Sequence, residues 1–379
     1  MLTDDQIRDF VSRGFSRRTL GRIAAMISAG GAMPFLTEPA LAQLSRVRGA
    51  IPADAVKIDA NENLLGPCKE AADAIHAVVS RGGRYLYEQT DTFIETLAEQ
   101  EGLKPSYVRA YAGSSAPLTQ SVIAFTGPEK PLVVADPGYE AAGGAARFIG
   151  SKVISVPLTK AHAHDVKAMA AASPNAGLIY IVNPNNPTGT ATSRADLEWL
   201  VENKPKGAVI LLDEAYIHLS GDKAGSDFVA KDKDVVILRT FSKIYGMAGI
   251  RAGAAMGRPD LLNKLGGYSS GAMPITGMVA AVASLRNQTL VPERRKMIAA
   301  VREDVFSFMD KHGFKYVPSV SNCFMVDVKR PGQQIRDAMV KEKVYIGRVW
   351  PSWPNHVRIT VGTQEEMNKF KAAFVKVMG

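Results

Sequence analysis

Apolar, strand-like runs alternate with helix-like segments through the middle of this 379-residue chain. The runs are short and rich in Val, Ile and Leu, and they cover residues 131–135, 153–156, 178–182, 208–212 and 235–238. Strands that alternate with helices favour a parallel sheet with helices over both faces. The pattern therefore predicts an α/β fold with a mostly parallel sheet flanked by helices.

The C-terminal part of the chain has a different pattern. A helix-rich stretch near residues 293–312 leads to a second region of strands and helices that ends at Gly379. This predicts a smaller α+β C-terminal domain. Four units are predicted in all, which are 1–42 (an export signal), 43–85 (an N-terminal arm with part of the small domain), 86–285 (the large domain) and 286–379 (the small domain).

The N-terminus has the features of an export signal. The paired arginines of Ser16-Arg17-Arg18-Thr19-Leu20 precede an uncharged stretch, 23–37, and Ala40-Leu41-Ala42 resembles a cleavage site. The pair resembles the twin-arginine type, which would send the protein to the periplasm, with Gln43 as its first residue. The stretch is shorter than the ~20 residues of a membrane span, so we expect no stable span. The alternative is a cytoplasmic protein whose N-terminal helix contains an arginine pair by coincidence.

Charge, cysteine and histidine usage exclude other classes of site. The net charge of +9 includes no run of five basic residues, so we expect a mildly basic surface and no nucleic-acid partner. Cys68 and Cys323 are too few and too far apart to read as a disulfide framework, and we expect two unpaired core residues, with their pairing left open. His162 and His164 lack a nearby third ligand, so we expect no metal site.

Four polar motifs follow predicted strands or open a helix, where open α/β sheets bind their ligands. They are Gly113-Ser114-Ser115, Asn183-Pro184-Asn185-Asn186-Pro187-Thr188-Gly189, Asp213-Glu214-Ala215-Tyr216, and Thr240-Phe241-Ser242-Lys243 with Gly249-Ile250-Arg251. Taken singly, each is compatible with an ordinary turn, helix cap or solvated lysine. Their order and spacing along the chain together indicate one shared site.

In these motifs the chain resembles the fold-type-I pyridoxal 5′-phosphate (PLP) enzymes, specifically the class I and II aminotransferases. Within them it looks most like the histidinol-phosphate aminotransferase group, through Asn61-Glu62-Asn63 and Arg358-Ile359-Thr360-Val361-Gly362-Thr363. The resemblance runs from about Ile58 to Thr363. It implies the PLP-dependent transferase fold of type I, with the cofactor bound in the large domain.

The resemblance implies roles for five side chains around the cofactor ring. Lys243 would hold PLP as a Schiff base and move protons, because a lysine amine forms an imine with the aldehyde of PLP. Asp213 would face the pyridine nitrogen and keep the ring protonated, so that the ring withdraws electrons from the substrate. Tyr216 and Asn186 would hydrogen-bond the 3′ oxygen, and Tyr139 would stack on the ring face.

The cofactor phosphate needs hydrogen-bond donors, and the motifs supply them. Ser114 and Ser115 offer amides and hydroxyls at a helix N-terminus, which is a ready anion site. Thr240 and Ser242 add hydroxyls beside the lysine, and Arg251 adds a planar cation.

A tyrosine from the partner subunit reaches the same phosphate in enzymes of this family. Tyr85 is the match in this chain, with Tyr87 as the alternative. The resemblance therefore implies a homodimer with shared active sites.

Four further residues match positions on the substrate side. Arg358 matches the family arginine that binds the substrate carboxylate, although an arginine on an edge strand is its ordinary interpretation. Arg348 is a candidate second cation, and Asn322 and Asn63 match positions near the substrate.

The implied function is that of an aminotransferase of amino-acid metabolism, which moves an amino group between an amino acid or related amine and a 2-oxo acid. Because histidine biosynthesis and its phosphorylated intermediates are cytoplasmic, export favours a donor other than histidinol phosphate. PLP-dependent decarboxylases, lyases and amino-acid oxidases share the scaffold and stay open as alternatives. An exported, non-catalytic binding protein is a further alternative, which the intact set of Lys243, Asp213 and Arg251 disfavours.

Overall fold

The computed structural model describes residues 3–28, 51–268 and 272–379. Two helices open it, α1 (Asp4–Ser12) and α2 (Arg17–Ser28). A capping box between Thr3 and Gln6 begins α1, satisfying amides that the helix leaves unpaired. The predicted cleavage signature, 40–42, lies outside the described residues.

A long series of alternating helices and strands follows. In chain order it consists of β1 (Val56–Ile58), α3 (Lys69–Val79), α4 (Tyr87–Glu101), β2 (Val108–Tyr111), α5 (Ser115–Phe125), β3 (Leu132–Asp136), α6 (Ala141–Ile149), β4 (Val153–Pro157), α7 (Val166–Ala171), β5 (Leu178–Val182), α8 (Arg194–Asn203), β6 (Val209–Asp213), α9 (Ile217–Ser220), α10 (Ser226–Ala230), β7 (Val235–Thr240) and β8 (Gly253–Gly257).

The remaining elements complete the large domain and form a smaller one. They are α11 (Pro259–Gly266), α12 (Ile275–Arg286), α13 (Leu290–Lys311), β9 (Lys315–Tyr316), β10 (Cys323–Asp327), α14 (Gly332–Lys341), β11 (Val344–Ile346), β12 (His356–Thr360) and α15 (Gln364–Met378).

Seven strands form the main sheet, in the order β2-β8-β7-β6-β5-β3-β4. The pairs from β4 to β7 are parallel, whereas β8 is antiparallel to β7 and to β2. Every residue of β5, β6 and β7 is buried, because apolar clusters cover both faces of the sheet. The predicted α/β fold with a mostly parallel sheet is therefore confirmed.

The small domain contains two further sheets. One has the order β12-β10-β9, and in the other β1 pairs in parallel with β11. These strands pack with α13, α14 and α15 around a core of their own. The predicted arm, 43–85, is divided by this packing, since β1 joins the small domain whereas α3 packs against α12 of the large one. The predicted domain boundaries stay predictions.

The N-terminal helices pack against the large domain. Phe10, Phe15, Leu20 and Ile23 are buried in the apolar cluster that contains α5 and α6. The guanidinium of Arg13 lies 4.5 Å from the Phe10 ring centroid and donates to the Ile123 carbonyl at 2.7 Å. The start of the predicted export signal is thus in contact with the folded large domain.

Three other features bear on the expectations from the sequence. Both cysteines are buried and unpaired. Among the described residues, no group of three His, Cys, Asp or Glu side chains is arranged to hold a metal ion. The helices in the described ranges include none with the length and hydropathy required to cross a membrane.

Candidate functional site

A pocket of about 300 Å³, counted with the solvent at its mouth, lies at the carboxyl ends of the central strands. Seven of the predicted cofactor residues line it together with Val182 and Ala215, and they are Ser114, Tyr139, Asn186, Asp213, Tyr216, Thr240 and Lys243. Parallel strands end at the same edge of a sheet, which is why motifs far apart in the chain meet here. The structure brings the four motifs into one site.

Lys243 is a buried lysine on the turn that follows β7. Only 4% of its surface is exposed, and lysine is almost never buried to this extent unless it is paired. Its Nζ lies 5.6 Å from the ring centroid of Tyr216. The Tyr216 hydroxyl accepts a hydrogen bond from Asn61 Nδ2 at 3.0 Å, which fixes the ring beside the lysine.

Asp213 ends β6, and both of its carboxylate oxygens accept hydrogen bonds. Oδ1 accepts from the Ala215 amide at 3.1 Å, and Oδ2 accepts from the Tyr180 hydroxyl at 2.8 Å. Burial, and after it the charge of Asp213, raises the pKa of Tyr180 well above its usual value. Tyr180 therefore stays protonated and donates to the carboxylate at neutral pH.

Helix α5 points its N-terminus at the pocket. Ser114 is its N-cap residue, and its side chain makes no capping hydrogen bond to the helix. Ser115 is the first helical residue. Gly113 precedes them with a φ of 89°, and a Cβ there would lie 2.3 Å from Arg251 Nη2. Glycine is favoured at this position because the positive φ strains any other residue, and a Cβ would force the Arg251 guanidinium to shift.

Behind Thr240, which lines the pocket, lie the Ser242 hydroxyl and the guanidinium of Arg251. The Thr240 hydroxyl donates to Ser242 Oγ at 2.9 Å, and Arg251 Nη1 donates to the same oxygen at 3.4 Å. Arg251 is held by the carbonyls of Ala248 and Ala112, at 2.8 and 3.2 Å. Amides at a helix N-terminus, hydroxyls and a cation are the donors that a phosphate requires.

These residues fit PLP. The donors around α5 suit its phosphate, the Asp213 carboxylate suits a protonated ring nitrogen, and the Lys243 amine suits its aldehyde. Tyr139 contributes an aromatic face to the same pocket. The chemistry of this set of donors and acceptors therefore matches the cofactor that the sequence predicts.

Arg358 is a buried cation beside the pocket, with 2% of its surface exposed. Its Nη1 donates to Asn186 Oδ1 at 2.9 Å, and its Nη2 donates to the Asp59 carbonyl at 2.5 Å. Its Nε has no partner among the described residues. Burial, with a smaller contribution from the charge of Arg348, lowers the pKa of Arg358.

Arg348 is also buried, but it already has an anionic partner. Its guanidinium forms a two-point ion pair with Glu140, the residue after Tyr139. The guanidinium carbons of Arg348 and Arg358 lie 4.5 and 5.4 Å from the ring centroid of Trp350. The two predicted substrate cations thus share one indole ring.

The predicted asparagines hold the segment before α3. Asn322 is buried, and its Nδ2 donates to the carbonyls of Asn61 and Glu62, at 3.3 and 3.5 Å. Asn63 Nδ2 donates to the Ile244 carbonyl at 3.0 Å, next to Lys243 in sequence. Neither asparagine lines the pocket, and both hydrogen-bond main-chain carbonyls of neighbouring segments.

Tyr85 and Tyr87 lie away from this pocket, on the surface of the same chain. They are 79% and 70% exposed, and their rings stack with centroids 5.6 Å apart. Their predicted role at a partner's phosphate stays a prediction.

Three residues of the site were missed by sequence reasoning. Tyr180 supports Asp213, Asn61 supports Tyr216, and Glu140 pairs with Arg348. A single tyrosine inside the aliphatic run 178–182 was a usable signal for the first. The other two contacts join residues 155 and 208 positions apart, so no local pattern marks them.

Known proteins resemble this chain over most of its length. A family model described as aminotransferase class I and II matches residues 53–374. A histidinol-phosphate aminotransferase from Symbiobacterium thermophilum is 32% identical, over 86% of this chain and 91% of the relative. An aromatic amino acid aminotransferase from Cutibacterium acnes is 31% identical, over 83% of this chain and 90% of the relative.

A solved structure shares the fold. It is the histidinol-phosphate aminotransferase from Sinorhizobium meliloti in complex with pyridoxal-5′-phosphate, which is 25% identical, with a TM-score of 0.79. The match covers 91% of this chain and 95% of that one. The cofactor in that structure is the one that the pocket described above fits.

Proposed function

Since the chain belongs to the class I and II aminotransferase family, we propose that its amino donor is an α-amino acid whose carboxylate binds Arg358. The chain is a PLP-dependent aminotransferase, and a 2-oxo acid is its acceptor. The relatives differ in their named substrates, so the donor is the open question.

One observation carries the proposal about the donor. Arg358 is a buried guanidinium that hydrogen-bonds an amide oxygen and a main-chain carbonyl, with no carboxylate paired to it among the described residues. A buried charge without a counter-ion is strongly destabilising. A substrate carboxylate would supply the missing counter-ion, with planar, two-point geometry.

Each side chain of the site has a separate role in transamination. When bound, PLP withdraws electrons from the carbon that bears the amino group. The Lys243 amine binds the cofactor and moves a proton to and from that carbon. Asp213, held by Tyr180, stabilises the positive ring nitrogen. Arg358 orients the donor, and Asn186 links that arginine to the cofactor pocket.

A donor panel tests the proposal. Purified enzyme with PLP, supplied with 2-oxoglutarate and separately with pyruvate, should form glutamate or alanine from at least one α-amino acid, and more slowly from the matched amine that lacks the carboxylate. L-Histidinol phosphate belongs in the panel, because relatives carry that name. Faster glutamate formation from histidinol phosphate than from any amino acid would contradict the proposed donor. Release of carbon dioxide or peroxide in place of glutamate would identify one of the other PLP reactions.

We further propose a homodimer in which Tyr85 reaches the phosphate site of the second copy. Tyr85 and Tyr87 are both at least 70% exposed and stack on each other, and exposed apolar side chains that lie together are typical of interaction surfaces. Light scattering should give twice the chain mass. Tyr85→Phe should weaken PLP binding, whereas Tyr87→Phe should leave it within about twofold. The reverse order would assign the role to Tyr87, and a monomer would refute the proposal.

Export through the twin-arginine-like segment is also a proposal. It rests on the sequence of residues 16–42. Replacing Arg17 and Arg18 by lysine should retain the protein in the cytoplasm, and the exported form should begin at Gln43. A wild-type protein recovered from the cytoplasm with residues 1–42 intact would refute it.

A further inference from the structure

Three contacts join the large domain to the small one at the edge of the site. They connect every second residue from Asp136, the last residue of β3, to Glu140 with every second residue of the segment after β11. The contacts are Ser352 Oγ to Asp136 Oδ1 at 2.6 Å, Trp350 Nε1 to the Gly138 carbonyl at 2.9 Å, and Arg348 to Glu140. Tyr139, which lines the cofactor pocket, lies in the same stretch, 136–140.

The Arg348–Glu140 pair is the charged member of the series. Arg348 Nε donates to Glu140 Oε1 at 3.2 Å, and Nη2 donates to Oε2. The Arg348 side chain is 7% exposed and that of Glu140 is 33% exposed. These two parallel, charge-assisted hydrogen bonds occupy the edge of the guanidinium. That edge would otherwise be available to bind an anionic ligand.

The two arginines beside Trp350 are therefore unequal. Arg358 has no carboxylate partner among the described residues, whereas Arg348 is neutralised by Glu140. A donor whose carboxylate is bound at Arg358 would direct its side chain towards Arg348, and the guanidinium of Arg348 is already paired with Glu140. An anionic side chain there would have to displace Glu140 and would also be repelled by it.

We propose that Glu140 is a specificity-determining residue, which withholds Arg348 from the substrate and makes the enzyme favour donors with uncharged side chains. This rests on the proposed function, in which Arg358 binds the donor carboxylate.

The test compares the wild type with Glu140→Gln, which keeps the shape of the side chain and removes its charge. The amine-transfer half-reaction is measured in single turnovers with glutamate and with phenylalanine, so that no acceptor is present. We expect the ratio of kcat/KM for glutamate over phenylalanine to rise about tenfold, because glutamate can then form one charge-assisted hydrogen bond with Arg348. Arg348→Gln in the same background should abolish the increase.

Binding supplies a second readout that needs no turnover. Glutarate carries two carboxylates and 3-phenylpropionate one, and neither reacts. In calorimetric titrations of the holoenzyme, Glu140→Gln should tighten glutarate binding about tenfold and change 3-phenylpropionate binding less than twofold.

Two controls separate specificity from a simple tie between domains. Ser352→Ala removes the neighbouring hydrogen bond without a change of charge, and Glu198→Gln breaks the distant ion pair with Arg194. Neither should shift the ratio. An unchanged ratio in Glu140→Gln, or an equal shift in Ser352→Ala, would overturn the proposal. Absence of amine transfer from every amino acid would instead refute the proposed function.

Discussion

In the proposed function, recognition of the donor depends on Arg358. Replacing it with glutamine removes the charge but leaves a hydrogen-bonding side chain near Asn186. We expect kcat/KM for an amino-acid donor to fall about 10- to 100-fold, the range of a lost charge-assisted hydrogen bond. The measurement pairs phenylalanine with phenethylamine, which has no carboxylate, and the amine should change less than threefold. Equal losses for both donors would show that Arg358 is structural.

At the residue scale, the sequence correctly predicted which side chains at the ends of strands are neighbours. It did not predict which side chains from different domains form pairs. Lys243, Asp213 and Asn186 were predicted to be neighbours because motifs at the ends of parallel strands meet at one edge. Glu140 could not be assigned a partner, since Arg348 lies 208 positions away on another domain. Pairings of this kind depend on how the domains pack, which no spacing in the sequence encodes.

At the element scale, the central strands were predictable because they are continuous apolar runs buried on both faces. Strand β5 has the predicted bounds, and β6 and β7 differ from prediction by one or two residues at their ends. Strand β8 was missed because its sequence, Gly-Ala-Ala-Met-Gly, has no β-branched residue. Its backbone is held by pairing on both sides, to β7 and β2, which overrides its weak propensity.

The N-terminal helix pair is an element whose docking is testable with adjacent residues. Phe10 is fully buried and packs edge-on against Phe15 and Tyr268, whereas Val11 is 52% exposed. We expect Phe10→Ala to reduce the free energy of docking by about 3–5 kcal/mol, the usual loss for a buried phenylalanine. Hydrogen exchange of the amides of α1 would measure this as loss of protection.

Val11→Ala is the matched control. It should change the free energy of docking of α1, measured by hydrogen exchange, by less than about 0.5 kcal/mol, as surface substitutions do. Equal protection in the two variants would show that α1 is not docked in solution.

Export through the arginine pair would require α2 to leave the domain, because Leu20 and Ile23 of that helix are buried against it. The Phe10→Ala variant should then be exported at least as well as the wild type.

At the scale of the whole molecule, buried histidines make stability depend on pH. Burial lowers the pKa of His164 to about 4, and its Nδ1 lies 2.9 Å from Thr192 Oγ1. Because the unfolded chain binds this proton near pH 6.5, the stabilisation is complete above that pH and is lost as the pH falls towards 4. His218, whose pKa burial and Arg239 also lower, acts in the same direction.

We therefore expect the wild-type holoenzyme to lose stability between about pH 7.5 and pH 5, with His164 responsible for on the order of 2 kcal/mol of that loss. The free energy of unfolding of His164→Gln, measured with urea at the two pH values, should decline less than that of the wild type. Some decline should remain, because His218 acts in the same direction. The exposed His76 is the control, and His76→Gln should decline as the wild type does. An undiminished decline in His164→Gln would contradict the assignment.

Attachment of PLP to Lys243, among the motifs of the large domain, is the assignment on which the whole active site depends. Borohydride reduction of the holoenzyme fixes the cofactor to the lysine that binds it, and tryptic peptides then identify that lysine by mass. We expect the label on residues 240–251, uncleaved after Lys243, and we expect Lys243→Ala to have neither the label nor the visible absorption band. A label on any other lysine, or a visible band that persists in Lys243→Ala, would contradict the assignment.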